Sequence, residues 1–174
     1  DDFIRTTEDR HVRVVQQVLS TLKAQDDIYL GTYTGWYCTP CETFWTESQL
    51  QEGNCPDCKR QVHQICEDNY FFRMSKYQSW LIDYIKAHPQ FIQPRSMEKE
   101  VLSFLSEPLE DLCISRPKAR MSWAIELPFD TAHVLYVWFD ALINYISAIG
   151  YGTDERMFSS YWPADVHFMA KDIE

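Results

Sequence analysis

Two cysteine pairs, Cys38-Thr-Pro-Cys41 and Cys55-Pro-Asp-Cys58, constrain this chain more than any other feature. Two residues inside each pair let one tight turn aim both sulfurs at a single ion, and thirteen residues separate the pairs. Pro40, Gly53 and Pro56 supply turn formers around them. The expected product is tetrahedral Zn2+ held by four thiolates at about 2.3 Å. With every coordination position filled, the ion closes a loop too small to bury enough surface by itself, which is a structural rather than a catalytic role. Redox use of a Cys-x-x-Cys pair is the alternative, but it comes with a thioredoxin-like βαβ setting and one pair only. His63, five residues after Cys58, is a substitute ligand that four cysteines make surplus.

The six cysteines could instead form three disulfides in a small secreted domain. Their paired spacing suits a metal better, and Cys66 and Cys113 then remain as thiols, which is ordinary in a reducing compartment. No apolar run approaches the roughly 20 residues of a membrane span, Val134 to Phe139 being among the longest, and no leader opens the sequence. A soluble, cytoplasmic protein without membrane contact is therefore expected. A hydrophobic content of 45% is ample for a core, and a formal charge of -10 argues against a dominant nucleic-acid surface. Any RNA contact is expected elsewhere in a larger protein.

Val12, Val15, Leu19 and Leu22 recur at helical spacing and predict an amphipathic helix over 8–25. Residues 28–37 alternate, with Gly31 and Gly35 as punctuation, and predict short strands leading into the cysteines. Ser75 is a cap for a helix to about Ala87 that buries Trp80, Leu81, Tyr84 and Ile85, and Pro89 ends it. A second helix is predicted over 96–106, with Met97, Val101 and Leu105 in register. The apolar run His133 to Trp138 reads as a buried parallel strand, followed by a helix to about Ile149, a helix over 154–161 and a second strand at Val166 to Met169. Strand, helix, helix, strand is one crossover of an α/β sheet.

Trp138 to Asp140 should then lie at the carboxyl end of a strand, where open α/β sheets bind ligands. On the helix that follows, Trp138, Ala141 and Tyr145 share a face, and a large ring, a small residue and a phenol can enclose a slender apolar side chain.

In order along the chain stand Asp2-Phe-Ile-Arg-Thr-Thr7, Trp36-Tyr-Cys-Thr-Pro-Cys41, Asn69-Tyr-Phe-Phe-Arg73, Glu100-Val-Leu-Ser103, Ile114-Ser-Arg-Pro-Lys118, the Tyr136 to Tyr145 block, and Trp162-Pro with Lys171-Asp-Ile173. These blocks resemble the methionyl-tRNA synthetase family, whose members are class I aminoacyl-tRNA synthetases, and the resemblance extends over essentially the whole chain. It implies a partial nucleotide-binding, Rossmann-like parallel sheet, split by an inserted small α+β connective-peptide domain that holds the zinc knuckle. The expected division is a catalytic-domain helical segment over 1–27, the insertion over 28–114 with its knuckle at 36–60, and part of the second catalytic half over 115–174.

The resemblance further implies a ligase that joins methionine to ATP, with Mg2+, and then transfers the methionyl group to its tRNA, with the remainder of the synthetase chain as a partner. By matching positions, Trp138, Ala141 and Tyr145 line the methionine pocket, Asp172 lies near the ATP ribose, and Arg116 and Lys171 serve the activation step. Without the family, Trp138 and Tyr145 would read as core aromatics, Lys171 and Asp172 as a solvated pair, and Arg116 as a surface bridge to carboxylates. The family's His-Ile-Gly-His and Lys-Met-Ser-Lys-Ser signatures are not among these residues, so the chain by itself is expected to be inactive. Arg73-Met-Ser-Lys76 superficially resembles the second signature but precedes the pocket block. Ala124 and Ala170 stand where the family pattern has glycine, and Glu174 where it has an apolar residue. A stand-alone zinc-binding interaction module is the alternative reading; an editing domain of a related synthetase lacks its Thr-rich pocket here.

Overall fold

The computed structural model describes residues 2–41 and 43–169, apart from the side chain of Ser48. The elements run α1 (Asp9–Ala24), β1 (Ile28–Cys38), β2 (Thr43–Trp45), β3 (His63–Phe72), α2 (Gln78–Ala87), α3 (Arg95–Phe104), β4 (Leu112–Cys113), β5 (Ser115–Pro117), β6 (Glu126–Leu127), β7 (Asp130–Leu135), α4 (Val137–Ser147) and α5 (Glu155–Tyr161). Short 3-10 turns occupy Glu47–Gln49 and Met74–Tyr77.

The strands form two small antiparallel sheets, ordered β2-β1-β3-β4 and β5-β7-β6. This overturns the expected parallel, Rossmann-like sheet. The Val134–Leu135 segment is buried, as the apolar run requires, but β7 is the middle strand of a three-stranded antiparallel sheet, reached from β6 through the tight connection Pro128–Phe129. An apolar run reports burial on both faces and not the direction of its neighbours. Residues Val166 to Met169 form no strand: Phe168 is 90% exposed, and none of the four has a ladder partner among the described residues.

Ile28 to Tyr37 is one long strand, in continuous register with β3 from Ile28↔Phe72 to Tyr37↔His63. Gly31 and Gly35 do not punctuate it. A Cβ on Gly35 would come within 2.5 Å of the Tyr33 ring, and one on Gly31 within 3.2 Å of Phe71, so both glycines let aromatic rings lie against the sheet.

The main core joins Val14, Val15 and Leu19 of α1 to Ile28, Tyr70, Ile114, Leu127, Leu135 and Ile143. The two sheets meet where the Tyr70 amide donates to the Ser115 hydroxyl at 2.7 Å and the Ile114 amide to the Tyr70 carbonyl at 2.9 Å. Ser75 does not cap α2. Its hydroxyl donates to Asp111 at 2.6 Å, and the helix begins only at Gln78 after the 3-10 turn. Of the face expected on α2, Ile85 is buried, Leu81 and Tyr84 are half-buried, and Trp80 is exposed. Helix α3 places Leu105 in the interior just past its end. Among the described residues no helix is long and apolar enough to cross a membrane.

Candidate functional site

The four cysteines of the two pairs converge. Cys38 closes β1, Cys41 sits in the turn that leads back into β2, and the pairing Tyr37↔Phe44 and Cys38↔Thr43 zips that hairpin shut. In the second turn the Lys59 amide donates to the Cys55 carbonyl at 2.9 Å, with Lys59 in the left-handed region at φ 60°. All four Sγ atoms lie within 4.8 Å of one another; Cys38 and Cys58 are 3.4 Å apart and Cys41 and Cys55 3.9 Å. Tetrahedral zinc with four thiolates requires sulfur separations of about 3.8 Å, so the donor set fits that ion with small adjustment. Cys38 and Cys55 are buried, and Val62, Trp36, Trp45 and Leu50 pack around the cluster.

The electrostatics of the bare thiols agree. Burial acts to raise the Cys55 thiol, but the backbone N–H groups of Cys58 and Asp57 and the sulfurs of Cys38 and Cys58 bring it down to about 7. Cys41 is pushed up to about 12, first by its contact with Cys58 and then by burial and the other two sulfurs. One thiol ionises and its neighbours then resist, a like-charge conflict that a divalent cation relieves. His63 is exposed and stands outside the cluster. All six cysteines are free of disulfides, Cys66 and Cys113 included.

Trp138, Ala141 and Tyr145 lie on one face of α4, which begins two residues after β7 ends. Helical geometry sets them three and seven positions apart, and the opposite face, carrying Asp140, Ile143 and Ser147, is buried. The Trp138 side is open, with that residue 52% exposed. Beyond α5 the chain returns over this face: the Tyr145 ring meets His167 edge-on at 5.2 Å, and its hydroxyl donates to the Phe168 carbonyl at 3.5 Å. An aromatic wall of this kind offers apolar surface to a ligand.

Arg116 lies on β5. Its guanidinium sits over the Tyr136 ring at 4.3 Å and the Phe44 ring at 5.2 Å, and Nη1 donates to the Ser115 carbonyl at 2.8 Å and to Cys113 Sγ at 3.1 Å. It bridges no carboxylate among the described residues. Arg116 and Cys113 border an open groove of about 740 Å³ with Tyr29, Tyr33, Phe44 and Phe71 among its lining rings. Lys171 and Asp172 lie outside the described residues, as do Ala170 and Glu174.

The Arg73-Met-Ser-Lys76 segment is committed to internal bonds. Arg73 Nε donates to the Asp26 carbonyl at 2.8 Å, and Lys76 Nζ reaches the buried Asp27 carboxylate at 2.5 Å. The sequence reading missed Asp27, which Tyr77 also meets through its hydroxyl at 2.6 Å. It also missed His11 and Asp140, although an acidic residue inside the apolar Tyr136 to Ile143 run was a visible signal of a buried polar contact.

Comparison with known proteins bears on the whole chain. The family described as tRNA synthetases class I (M) matches residues 1–68 and 61–174. The methionine–tRNA ligase of Caldanaerobacter subterraneus is 53% identical over 174 residues, covering 99% of this chain and 27% of the relative. That of Thermotoga maritima is 48% identical over 177 residues, 99% and 28% of the two chains. The chain thus spans about a quarter of the length of these curated relatives. Among solved structures, Mycobacterium tuberculosis methionyl-tRNA synthetase in complex with methionyl-adenylate superposes with a TM-score of 0.85 at 40% identity, over 99% of this chain and 35% of that one. The apo form of the same enzyme gives 0.79 at 39% identity, over 95% and 34%.

Proposed function

The chain belongs to the methionyl family of class I tRNA synthetases, and from that premise we propose that it forms part of a methionine–tRNA ligase. The ligase activates methionine with ATP, releasing pyrophosphate, and transfers the methionyl group to its tRNA. The observation that carries this reading is the α4 face on which Trp138, Ala141 and Tyr145 stand at the end of β7, opposite a buried face that anchors them. Trp138 and Tyr145 flank the methionine side chain, and Ala141 leaves room for its unbranched thioether. Arg116 serves the activation step by offering positive charge where charge builds on the transferring phosphate. Lys171 and Asp172 are assigned to the nucleotide by position in the sequence, and ATP would bring Mg2+ with it.

The Cys38, Cys41, Cys55 and Cys58 cluster would hold Zn2+ in a structural role, because four protein sulfurs leave no position for substrate. The division proposed is 1–27 for a helical segment of the catalytic domain, 28–114 for the insertion that carries the metal, and 115–174 for part of the second catalytic half. Two thiols outside the cluster and a metal site that oxidation would destroy favour the cytoplasm.

The test is methionine-dependent pyrophosphate exchange by the full-length protein. Exchange that responds to substitutions at Trp138 and Ala141 through the KM for methionine supports the pocket. Zinc binding and a stable fold without any exchange in the full-length protein would favour a stand-alone interaction module instead.

A further inference from the structure

Three stretches far apart in sequence meet at one guanidinium. Tyr136 immediately precedes α4 and its proposed pocket residues, Phe44 lies on the hairpin strand that follows Cys41, and Cys113 ends β4. The two rings stand 4.3 and 5.2 Å from the Arg116 guanidinium carbon, and Cys113 Sγ accepts from Nη1 at 3.1 Å.

Glu107, Glu110 and Asp111 line the same groove, but none of them forms an ion pair with Arg116. The chain carries 26 acidic residues against 16 Lys and Arg, yet among the described residues no carboxylate pairs with Arg116. Both backbone and sulfur contacts are spent on Nη1, and Nε and Nη2 donate to none of the described residues. Aromatic faces and a thiol attract a cation without neutralising it. None of the described residues occupies the Nε and Nη2 edge, whose fork matches the geometry of carboxylate and phosphate oxygens.

We propose that Tyr136, Phe44 and Cys113 are positioning residues that hold Arg116 in place for an anionic phosphoryl oxygen in the activation step. The inference rests on the role given to Arg116 above. Through it the metal-bearing hairpin and the pocket helix are joined at the arginine, so a shift of either one moves the charge. Misplacement by about 1 Å is enough to cost roughly a hundredfold in rate.

The test is pyrophosphate exchange by the full-length synthetase. Arg116→Ala should lower kcat by about a hundredfold or more, the loss that follows removal of a donor to developing charge. Tyr136→Leu and Phe44→Leu should each lower kcat about 3- to 30-fold, in line with a cation–π contact, while KM for methionine stays within about twofold. Tyr136→Phe, which keeps the ring, should restore most of the rate.

The deciding measurement is the cycle. Placed on Arg116→Ala, Tyr136→Leu should remove less than about a further twofold, since nothing is left to position. An equal loss in both backgrounds, or no loss with Arg116 present, overturns the positioning role while leaving Arg116 itself intact. Full activity of Arg116→Ala overturns the reading of Arg116 and this inference with it.

Discussion

Nδ1 of His11, in the first turn of α1, lies 2.8 Å from the hydroxyl of Ser147 at the end of α4. Both residues are buried, and with them Asp140, whose Oδ1, like His11 Nε2, has no hydrogen-bond partner among the described residues. The helix proposed to carry the pocket is therefore fastened to α1 by a polar contact inside an apolar interface, beside a carboxyl group with one oxygen unpartnered among the described residues.

Burial pushes the Asp140 carboxyl up to about 6, with the Ala141 backbone N–H acting weakly the other way. A carboxyl whose folded-state value exceeds its unfolded one favours the folded state while protonated, and loses that contribution as pH rises from about 4 to about 6. Asp140→Asn should then raise thermal stability at pH 7.5 by on the order of 2 kcal/mol. The gain should vanish near pH 4. Melting curves of both proteins across that range check it, and a gain independent of pH would refute the assignment.

Removing the metal should act locally. Treatment with a chelator, or Cys38→Ser, should strip hydrogen-exchange protection from residues 36–62 while α1 and α4 keep theirs, because the cysteine cluster and the main core share no buried residue. Native mass spectrometry should show one zinc and two titratable thiols, Cys66 and Cys113. Equal loss of protection in both regions would contradict this separation.

Trp138→Ala should raise KM for methionine roughly 10- to 200-fold in the full-length protein, the range that a lost apolar contact of a few methylene equivalents commands. Ala141→Phe, which fills the same face, should do at least as much. Steady-state pyrophosphate exchange with methionine varied distinguishes this from a loss confined to kcat, which would remove both residues from the pocket.

Asp27 is buried between β1 and the 3-10 turn, and hydrogen bonds from Lys76 and Tyr77 hold its carboxyl below its ordinary value. A carboxyl depressed in this way stabilises above its unfolded value near 4 and ceases to do so as pH falls below it. Asp27→Ala should destabilise by about 2 kcal/mol at neutral pH, leaving the Tyr77 hydroxyl without its acceptor. Denaturant titration should show that difference narrowing in acid.

The metal cluster was legible because cysteine spacing carries its geometry directly: two residues between sulfurs leave few turn conformations, and the structure uses them. Helix α1 was legible for a similar reason, its apolar positions recurring at 3.6 residues, and so was α5, whose Asp154 side chain accepts from the Met157 amide at 2.9 Å. The sheet was not. Val134 and Leu135 are equally buried whether their neighbours run parallel or antiparallel, and the tight Pro128–Phe129 connection that decides the matter carries no periodic signal. The shared face of Trp138, Ala141 and Tyr145 on α4 could be drawn from helical spacing alone. The partners of Arg116 could not, because Phe44, Cys113 and Tyr136 are brought together only by the packing of the two sheets.

The 11-residue strand β1 is rooted at Ile28 in the main core and ends at Cys38 in the cysteine cluster. At about 3.3 Å per residue, that is an arm of roughly 33 Å. Any tilt at its root is magnified along its length: a rotation of about 5° at Ile28 carries the tip through roughly 3 Å. The metal-bearing tip thus behaves as the far end of a lever, and small repacking around α1 is enough to sweep it across a distance comparable to a hydrogen bond.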